Sequence, residues 1–215
     1  MHSSAEPIEQ SEAPDAAASE AIEAARRAGV SPYTHREKVG RVLWNYMGQP
    51  AFRLTFHNWY GVRRALLRLF GARVGRNARL RPSVRIEQPW NLIVGAESSI
   101  GDRAIVYCLG RVTIGDAVSI SQGAHLCAGT HDFADPAMPL VRPPIVIERR
   151  AWIAADAFIG PGVTVGEGAI LGARGCAMKD LEAWTIYAGN PARALRERPR
   201  PVESEIPGTD RERGG

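Results

Sequence analysis

Between Val74 and Ala177 an aliphatic residue returns every six positions. The beat falls at Val74, Leu80 and Ile86, at Val94, Ile100 and Val106, and at Ile114, Ile120 and Leu126. It resumes at Ile147, Ile153, Ile159, Val165, Leu171 and Ala177. Six is a multiple of the strand period of two but not of the helical period of about 3.6. One aliphatic per six therefore predicts a short strand followed by a turn, with three such sides closing one coil and the aliphatics pointing inward. Coils stacked at the strand spacing of ~4.8 Å bury each apolar corner against the next. The expected fold is an all-β parallel solenoid. Glycine follows the beat at 75, 95, 101, 115, 160, 166 and 172, which suits either a positive φ or a site with no room for Cβ. The residue four after the beat is small or slim, as in Ala78, Ser98, Ala104, Ala124, Ala157 and Ala169, and fits a tight corner.

The departures from the period carry information of their own. Ile86 to Val94 and Val106 to Ile114 each span eight residues, so two residues are inserted at one corner of each coil. Leu126 to Ile147 spans twenty-one, and residues 131–144 within it hold four prolines. That is a loop thrown out of the solenoid, and loops held by a rigid scaffold are where function concentrates. The chain divides into a disordered acidic tail (1–35), a basic aromatic-rich helical segment (36–73), and the solenoid (74–180) with its loop (131–146). A C-terminal segment (181–197) and a disordered tail (198–215) follow.

Charge sharpens the reading of the N-terminal part. The net charge is +4, but residues 1–25 hold six acids and no Lys or Arg, whereas residues 26–73 hold ten Lys or Arg and one Glu. Residues 59–70 read as an amphipathic helix, with Val62, Leu66 and Leu69/Phe70 on one face and Arg63, Arg64 and Arg68 on others. Its simplest role is to cap the open end of the solenoid with its cations in water. A sharper role is contact of residues 36–70 with an anionic membrane surface or a diphosphate-linked lipid. No nucleic-acid-binding motif matches, so nucleic acid is not an expected partner. No signal peptide or spanning run is read from the chain, and Cys108, Cys127 and Cys176 lack metal-type spacing. A cytoplasmic protein with reduced thiols is expected, with the inner face of the membrane as its site of contact.

Only His125 and His131 lie among the repeats. His131 stands at the root of the one long loop, where a neutral imidazole can accept a proton from a hydroxyl. Its second ring nitrogen then needs an acceptor. Asp132 is adjacent, but neighbours in a strand point to opposite faces, so a backbone carbonyl serves equally well. Tyr107, Ser121 and Gln122 follow inward beats and are candidates to contact an acceptor, as are Asp132 and Asp135 in the loop.

The hexapeptide period, the Thr130-His131-Asp132 loop and the ending Ala188-Gly189-Asn190-Pro191-Ala192-Arg193 resemble the hexapeptide-repeat acyltransferases. The stretches LLRLFG (66–71), PWNL (89–92), ISQ (120–122), LCAGTHD (126–132) and AWIAADAF (151–158) are similar to the colanic-acid-biosynthesis acetyltransferase branch. The resemblance covers roughly residues 36–195. It implies a left-handed parallel β-helix with a short helical N-terminal segment, assembled as a homotrimer with active sites between subunits. It also implies direct attack of an acceptor hydroxyl on acetyl-CoA, with His131 as general base. Matching to the galactoside and maltose acetyltransferase pattern implies Trp152, Ala155, Gly172, Ala173, Met178 and Lys179 along the pantetheine arm. Arg193 and Arg196 match residues near the nucleotide phosphates. Met178 stands where Thr is usual, and Glu148-Arg149-Arg150 replaces a commoner glycine-containing turn.

The expected activity is O-acetylation of a sugar hydroxyl, on a free or lipid-linked glycan, in exopolysaccharide or related surface-glycan synthesis. The alternative is an N-acetyltransferase acting on an amino sugar or sugar nucleotide. A zinc enzyme of carbonic-anhydrase type needs three histidines at an interface, and two are too few, so no metal is expected. A non-catalytic solenoid used as a ruler leaves the long loop and the basic terminus unexplained.

Overall fold

The computed structural model describes residues 33–201. The two tails expected to be disordered lie, for residues 1–32 and 202–215, outside the described residues. The described chain falls into two compact units, the excursion His131–Leu140 and the remainder, Tyr33–Thr130 with the chain from Val141 onward.

The remainder is a parallel β-helix. Its first face stacks Arg73–Val74, Leu92–Val94, Val112–Ile114, Ile145–Ile147 and Thr164–Val165. The second stacks Arg79–Leu80, Ser99–Ile100, Ser119–Ile120, Trp152–Ile153 and Ile170–Leu171, and the third Arg85–Ile86, Ile105–Tyr107, His125–Cys127, Phe158–Ile159 and Cys176–Ala177. These make five coils, and every neighbouring pair within them is parallel and in register on the beat, as in Leu80↔Ile100 and Val106↔Leu126. All fifteen beat residues are at most 6 % exposed. Each inward Ile or Leu contributes about 1.5–3 kcal/mol of burial. The corner between the third and first faces is the widened one. Coil one fills it with a short 3-10 turn, Pro89–Asn91, and coil three opens there into the excursion.

Of the two readings of the glycine after the beat, close approach is the one observed. None of those seven glycines has a positive φ. A Cβ on Gly101 would meet the backbone nitrogen of Gln122 at 2.6 Å, and one on Gly115 would meet that of Arg149 at 2.7 Å. The left-handed turn residue instead lies three after the beat, at Asn77, Glu97, Arg103, Ala117, Arg150, Asp156 and Arg174 as well as at Gly123, Gly162 and Gly168.

Among the described residues three helices precede the solenoid: α1 (His35–Leu43), α2 (Gln49–Arg53) and α3 (Tyr60–Leu69), with a π-helical turn at Trp44–Gly48. Thr34 and Glu37 form a reciprocal capping box at the start of α1. Within the stack each coil donates N–H groups to carbonyls of the next, as from Gly75 to Val94, Arg81 to Ile100 and Glu87 to Val106. At Val74, Ala78, Leu80, Val84 and Ile86 the first coil has no earlier coil to donate to its carbonyls, and side chains of the helical segment do so. Arg68 Nε donates to Val74 O (3.0 Å), Arg64 to Ala78 O (3.1 Å) and Arg63 to Leu80 O (2.6 Å). Gln49 donates to Val84 O (3.1 Å) and Trp44 to Ile86 O (2.6 Å). A solenoid edge left bare would expose unpaired strand groups, and here side chains close it.

This arrangement confirms a cap but corrects its chemistry. The expected cations do not all lie in water: Arg63 is completely buried and also donates to Thr55 Oγ1, Phe56 O and His57 O. Burial pulls its pKa down, and the four hydrogen bonds offset the cost of desolvating the charge. The apolar face of α3 is only in part the expected one: Leu66 and Phe70 do pack against the core. Leu67 is buried, whereas Val62 is 51 % and Leu69 80 % exposed. The PWNL stretch has a packing role, because Trp90 lies against Gly40 of α1 and against Gly71.

At the far end, Leu181 bridges to Val165 and Thr185–Ala188 adds a further parallel strand to the second face. That strand turns through a cis Asn190–Pro191 bond into an antiparallel partner, Arg193–Glu197.

Candidate active site

His131 is held by its own loop. Its Nδ1 lies 2.6 Å from the carbonyl oxygen of Met138. A carbonyl only accepts, so Nδ1 carries the hydrogen, and Nε2 of the neutral ring is left as the acceptor. The backbone-carbonyl alternative is thus the one the chain uses, and Asp132 is engaged elsewhere. Its carboxylate accepts from Ala134 N (3.0 Å), and its N–H donates to Pro139 O (3.0 Å). Asp135 accepts from Ala137 N at 2.8 Å, while its carbonyl accepts from Met138 N. Two Asx turns therefore shape the excursion and present the Met138 carbonyl to the ring. The two aspartates expected to contact an acceptor carry this loop structure.

The coenzyme candidates gather on the last coils of the solenoid. Trp152, on the second face of coil four, is 44 % exposed and donates from Nε1 to Ser121 Oγ at 2.9 Å. Ala155 and Gly172 lie at the corner between the second and third faces, followed there by Ala173. The Ala155 carbonyl accepts from Arg174 N (2.8 Å), and Gly172 N donates to Tyr187 O (2.7 Å), so both groups serve the ladder. A Cβ on Gly172 would sit 3.1 Å from Tyr187 O, so the stack itself asks for glycine there. Met178, Lys179 and Arg193 line one pocket of about 370 Å³ with Cys176, Tyr187 and Pro191. Arg196 lies on the same terminal strand, opposite Ile186, outside that lining.

Within the solenoid the acceptor candidates fall on different coils. Tyr107 is on the third face of coil two, in a groove with Asn45, Gln49 and Glu87. Burial is the main cause that pushes its phenol pKa up. Ser121 and Gln122 turn the corner between the second and third faces one coil further on. Ser121 is bound to Trp152, which couples an acceptor candidate to a coenzyme candidate.

Several groups are removed from the chemistry. Cys108 is fully buried, donates to Gln88 O at 3.1 Å, and burial pushes its thiol pKa up to about 12. His125 packs edge-on against Phe158 at 5.2 Å, and burial and then Arg85 hold it below its ordinary pKa. Among the described residues no group of three or more His, Cys, Asp or Glu is placed to hold a metal ion.

Sequence reasoning missed one constellation. Arg142, just past the excursion, pairs with Glu37 of α1 at 2.9 Å and stacks over Tyr33 at 4.7 Å. Arg41 covers the same ring at 4.1 Å and binds Glu87 at 3.1 Å. The separation of 105 residues between Glu37 and Arg142 gives no local signal of this contact.

The comparisons agree with this geometry. No family model matches the chain. It is 46 % identical over 163 residues, 76 % of this chain and 88 % of the relative, to the colanic acid biosynthesis acetyltransferase WcaF of Escherichia coli (strain K12). It is 30 % identical over 138 residues to the galactoside O-acetyltransferase of the same strain, covering 63 % of this chain and 68 % of that one. A solved galactoside acetyltransferase in complex with coenzyme A superposes with a TM-score of 0.71 at 25 % identity, covering 82 % and 90 % of the two chains. The β-helix and these relatives together show an acetyltransferase of the hexapeptide-repeat class. Within it, the chain belongs to the family of colanic acid biosynthesis acetyltransferases.

Proposed function

We propose that this acetyltransferase moves acetyl from acetyl-CoA to a sugar hydroxyl during exopolysaccharide or related surface-glycan synthesis. The observation that carries the reading is the 2.6 Å contact from His131 Nδ1 to the Met138 carbonyl, which leaves Nε2 as a proton acceptor. Nε2 takes the acceptor's hydroxyl proton as that oxygen bonds to the acetyl carbonyl carbon. The carbon–sulfur bond then breaks, and the imidazolium returns the proton to the departing thiolate. No acyl-enzyme forms.

The coenzyme fits the far end of the solenoid. Ala155, Gly172 and Ala173 offer a thin track with little side-chain bulk, Trp152 and Met178 present apolar surface beside it, and Lys179, Arg193 and Arg196 supply cations for phosphate. The solved relative in complex with coenzyme A supports this use of the fold. His131 and this track serve one reaction in a homotrimer, across neighbouring subunits. The relative named for colanic acid biosynthesis supports the glycan pathway. The working site is cytoplasmic, at the inner membrane face. Val39, Val42, Tyr46, Met47, Leu54 and Phe56 are each more than half exposed in a segment rich in cations, which supports peripheral contact there. No helix among the described residues is long and apolar enough to cross a membrane.

Deleting the gene and recording the proton NMR spectrum of the surface polysaccharide tests the reading. Loss of acetyl signals that mild alkali removes from wild-type material is the expected result. Unchanged acetylation contradicts the reading, and loss of alkali-stable acetyl shifts it to an amino-sugar N-acetyltransferase.

A further inference from the structure

A groove at the opposite end of the solenoid from the coenzyme track is unused by the reaction above. It lies where α2 crosses the third face of coils one and two. One part, of about 580 Å³, is lined by Arg53, Pro82, Ser83, Arg85, Arg103 and Ile105. A second part, of about 230 Å³, shares Arg53, Arg85 and Ile105 and continues to Asn45, Glu87 and Tyr107. The three arginines come from α2, from the first strand of the third face, and from a left-handed turn of coil two.

The carboxylates near them are already engaged, although Arg103 also acts on Asp102 at longer range. Glu87 is taken by Arg41 at 3.1 Å. Asp102, which neighbours the groove, is taken by Arg81 at 2.9 Å and Ser83 at 2.8 Å. Arg53, Arg85 and Arg103 make no ion pair or side-chain hydrogen bond among the described residues. The three side chains are exposed, so water screens their mutual repulsion, and together they stand open to an anion beside Ile105 and Pro82. An anion removes that repulsion, and arginine forks match phosphate oxygens. The coenzyme's own phosphates are assigned to Arg193 and Arg196 beyond coil five, which leaves this cluster open to a second phosphate group. A single carboxylate needs one such fork, whereas a diphosphate diester carries about two negative charges on several oxygens.

We propose that this groove holds the diphosphate of a glycosyl-diphosphate acceptor, with Arg53, Arg85 and Arg103 on its oxygens and Asn45 and Tyr107 toward the sugar. The proposal rests on the acetyl-transfer reading and narrows its substrate to a sugar already activated through a diphosphate, whether on a nucleotide or on a polyprenyl lipid.

Calorimetric titration of the full chain, saturated with coenzyme A so that its nucleotide site is filled, tests this. The probes are uridine diphosphate, citronellyl diphosphate and glucuronic acid. Both diphosphates bind, glucuronic acid binds at least about tenfold more weakly, and Arg85→Gln with Arg103→Gln weakens the diphosphates about a hundredfold in total. Arg85→Lys with Arg103→Lys recovers part of that loss, and coenzyme A affinity stays unchanged in every variant, which also shows that they fold. Tighter binding of uridine diphosphate identifies a nucleotide sugar, and tighter binding of citronellyl diphosphate identifies a lipid-linked one. Absence of diphosphate binding, equal binding by the Gln variant, or equal binding of glucuronic acid overturns the proposal. If acetyl transfer to a neutral sugar persists in such a case, the reaction assigned above still stands. Loss of coenzyme A binding by the wild-type chain strikes that reaction instead.

Discussion

At His131 one hydrogen bond decides which nitrogen is available, and the carbonyl that makes it comes from seven residues along the chain. The histidine itself was legible in the sequence, because it stands where the beat of six breaks. Its partner was not, because no pattern marks which carbonyl a fourteen-residue irregular stretch folds back. The arginines of α3 show the same divide. Sequence periodicity set Arg63 and Arg64 on polar faces alike, yet Arg63 is buried with four hydrogen bonds whereas Arg64 makes one, at 3.1 Å. The solenoid's unpaired edge carbonyls draw them in, and those carbonyls belong to backbone geometry. Arg63→Met is therefore expected to cost about 3 kcal/mol or more, by leaving several buried carbonyls unsatisfied. Arg64→Met is expected to cost about 1 kcal/mol. Urea denaturation of the two variants separates them, and equal losses would deny Arg63 its special place.

Among the elements, the inward position of the repeated strand-and-turn unit was legible in full because burial enforces it: all fifteen beats face inward. Its turn was only half legible. The conspicuous glycines mark backbone contact between coils, while the left-handed residue three after the beat is often Asn, Glu, Arg or Ala and gives no common sequence signal. Two substitutions two residues apart test this division. Gly115→Ala forces a Cβ toward Arg149 N and is expected to cost about 1–3 kcal/mol. Ala117→Gly, at φ 54°, relieves a left-handed alanine and is expected to leave stability within about 1 kcal/mol of wild type. Thermal unfolding reads both, and the opposite order would contradict the assignment. Two carboxylates, Glu37 in the helical cap and Asp102 in coil two, add a pH dependence. The Glu37 carboxyl is held below its ordinary pKa chiefly by the Thr34 N–H, and that of Asp102 chiefly by Arg81. Each contributes stability that is present above the usual carboxylate range, near pH 4, and is lost as pH falls through the lowered folded value. Glu37→Gln with Asp102→Asn is expected to flatten the acid limb of stability against pH and to leave the slope above pH 7 unchanged.

For the whole molecule, the fold and the class of reaction were legible from one period, one loop and one terminal motif. The site was legible only in pieces. Tyr107 and Ser121 lie on different sides of the solenoid, and the contacts of Arg142 with Glu37 and Tyr33 join distant parts of the chain. A reaction shared between subunits requires an assembly, so sedimentation equilibrium is expected to give three times the 23.4 kDa chain mass. A monomer that is fully active would remove the intersubunit arrangement. The central claim is that His131 takes the acceptor's proton. Its most direct test returns either the wild-type or the His131→Ala chain, at matched levels, to a strain lacking the gene. The reading is alkali-labile acetyl on surface polysaccharide, alongside coenzyme A affinity of the purified proteins. The wild-type chain is expected to restore acetylation, and His131→Ala to fall short by roughly a hundredfold or more while binding coenzyme A as wild type does. Full restoration by His131→Ala would contradict the account.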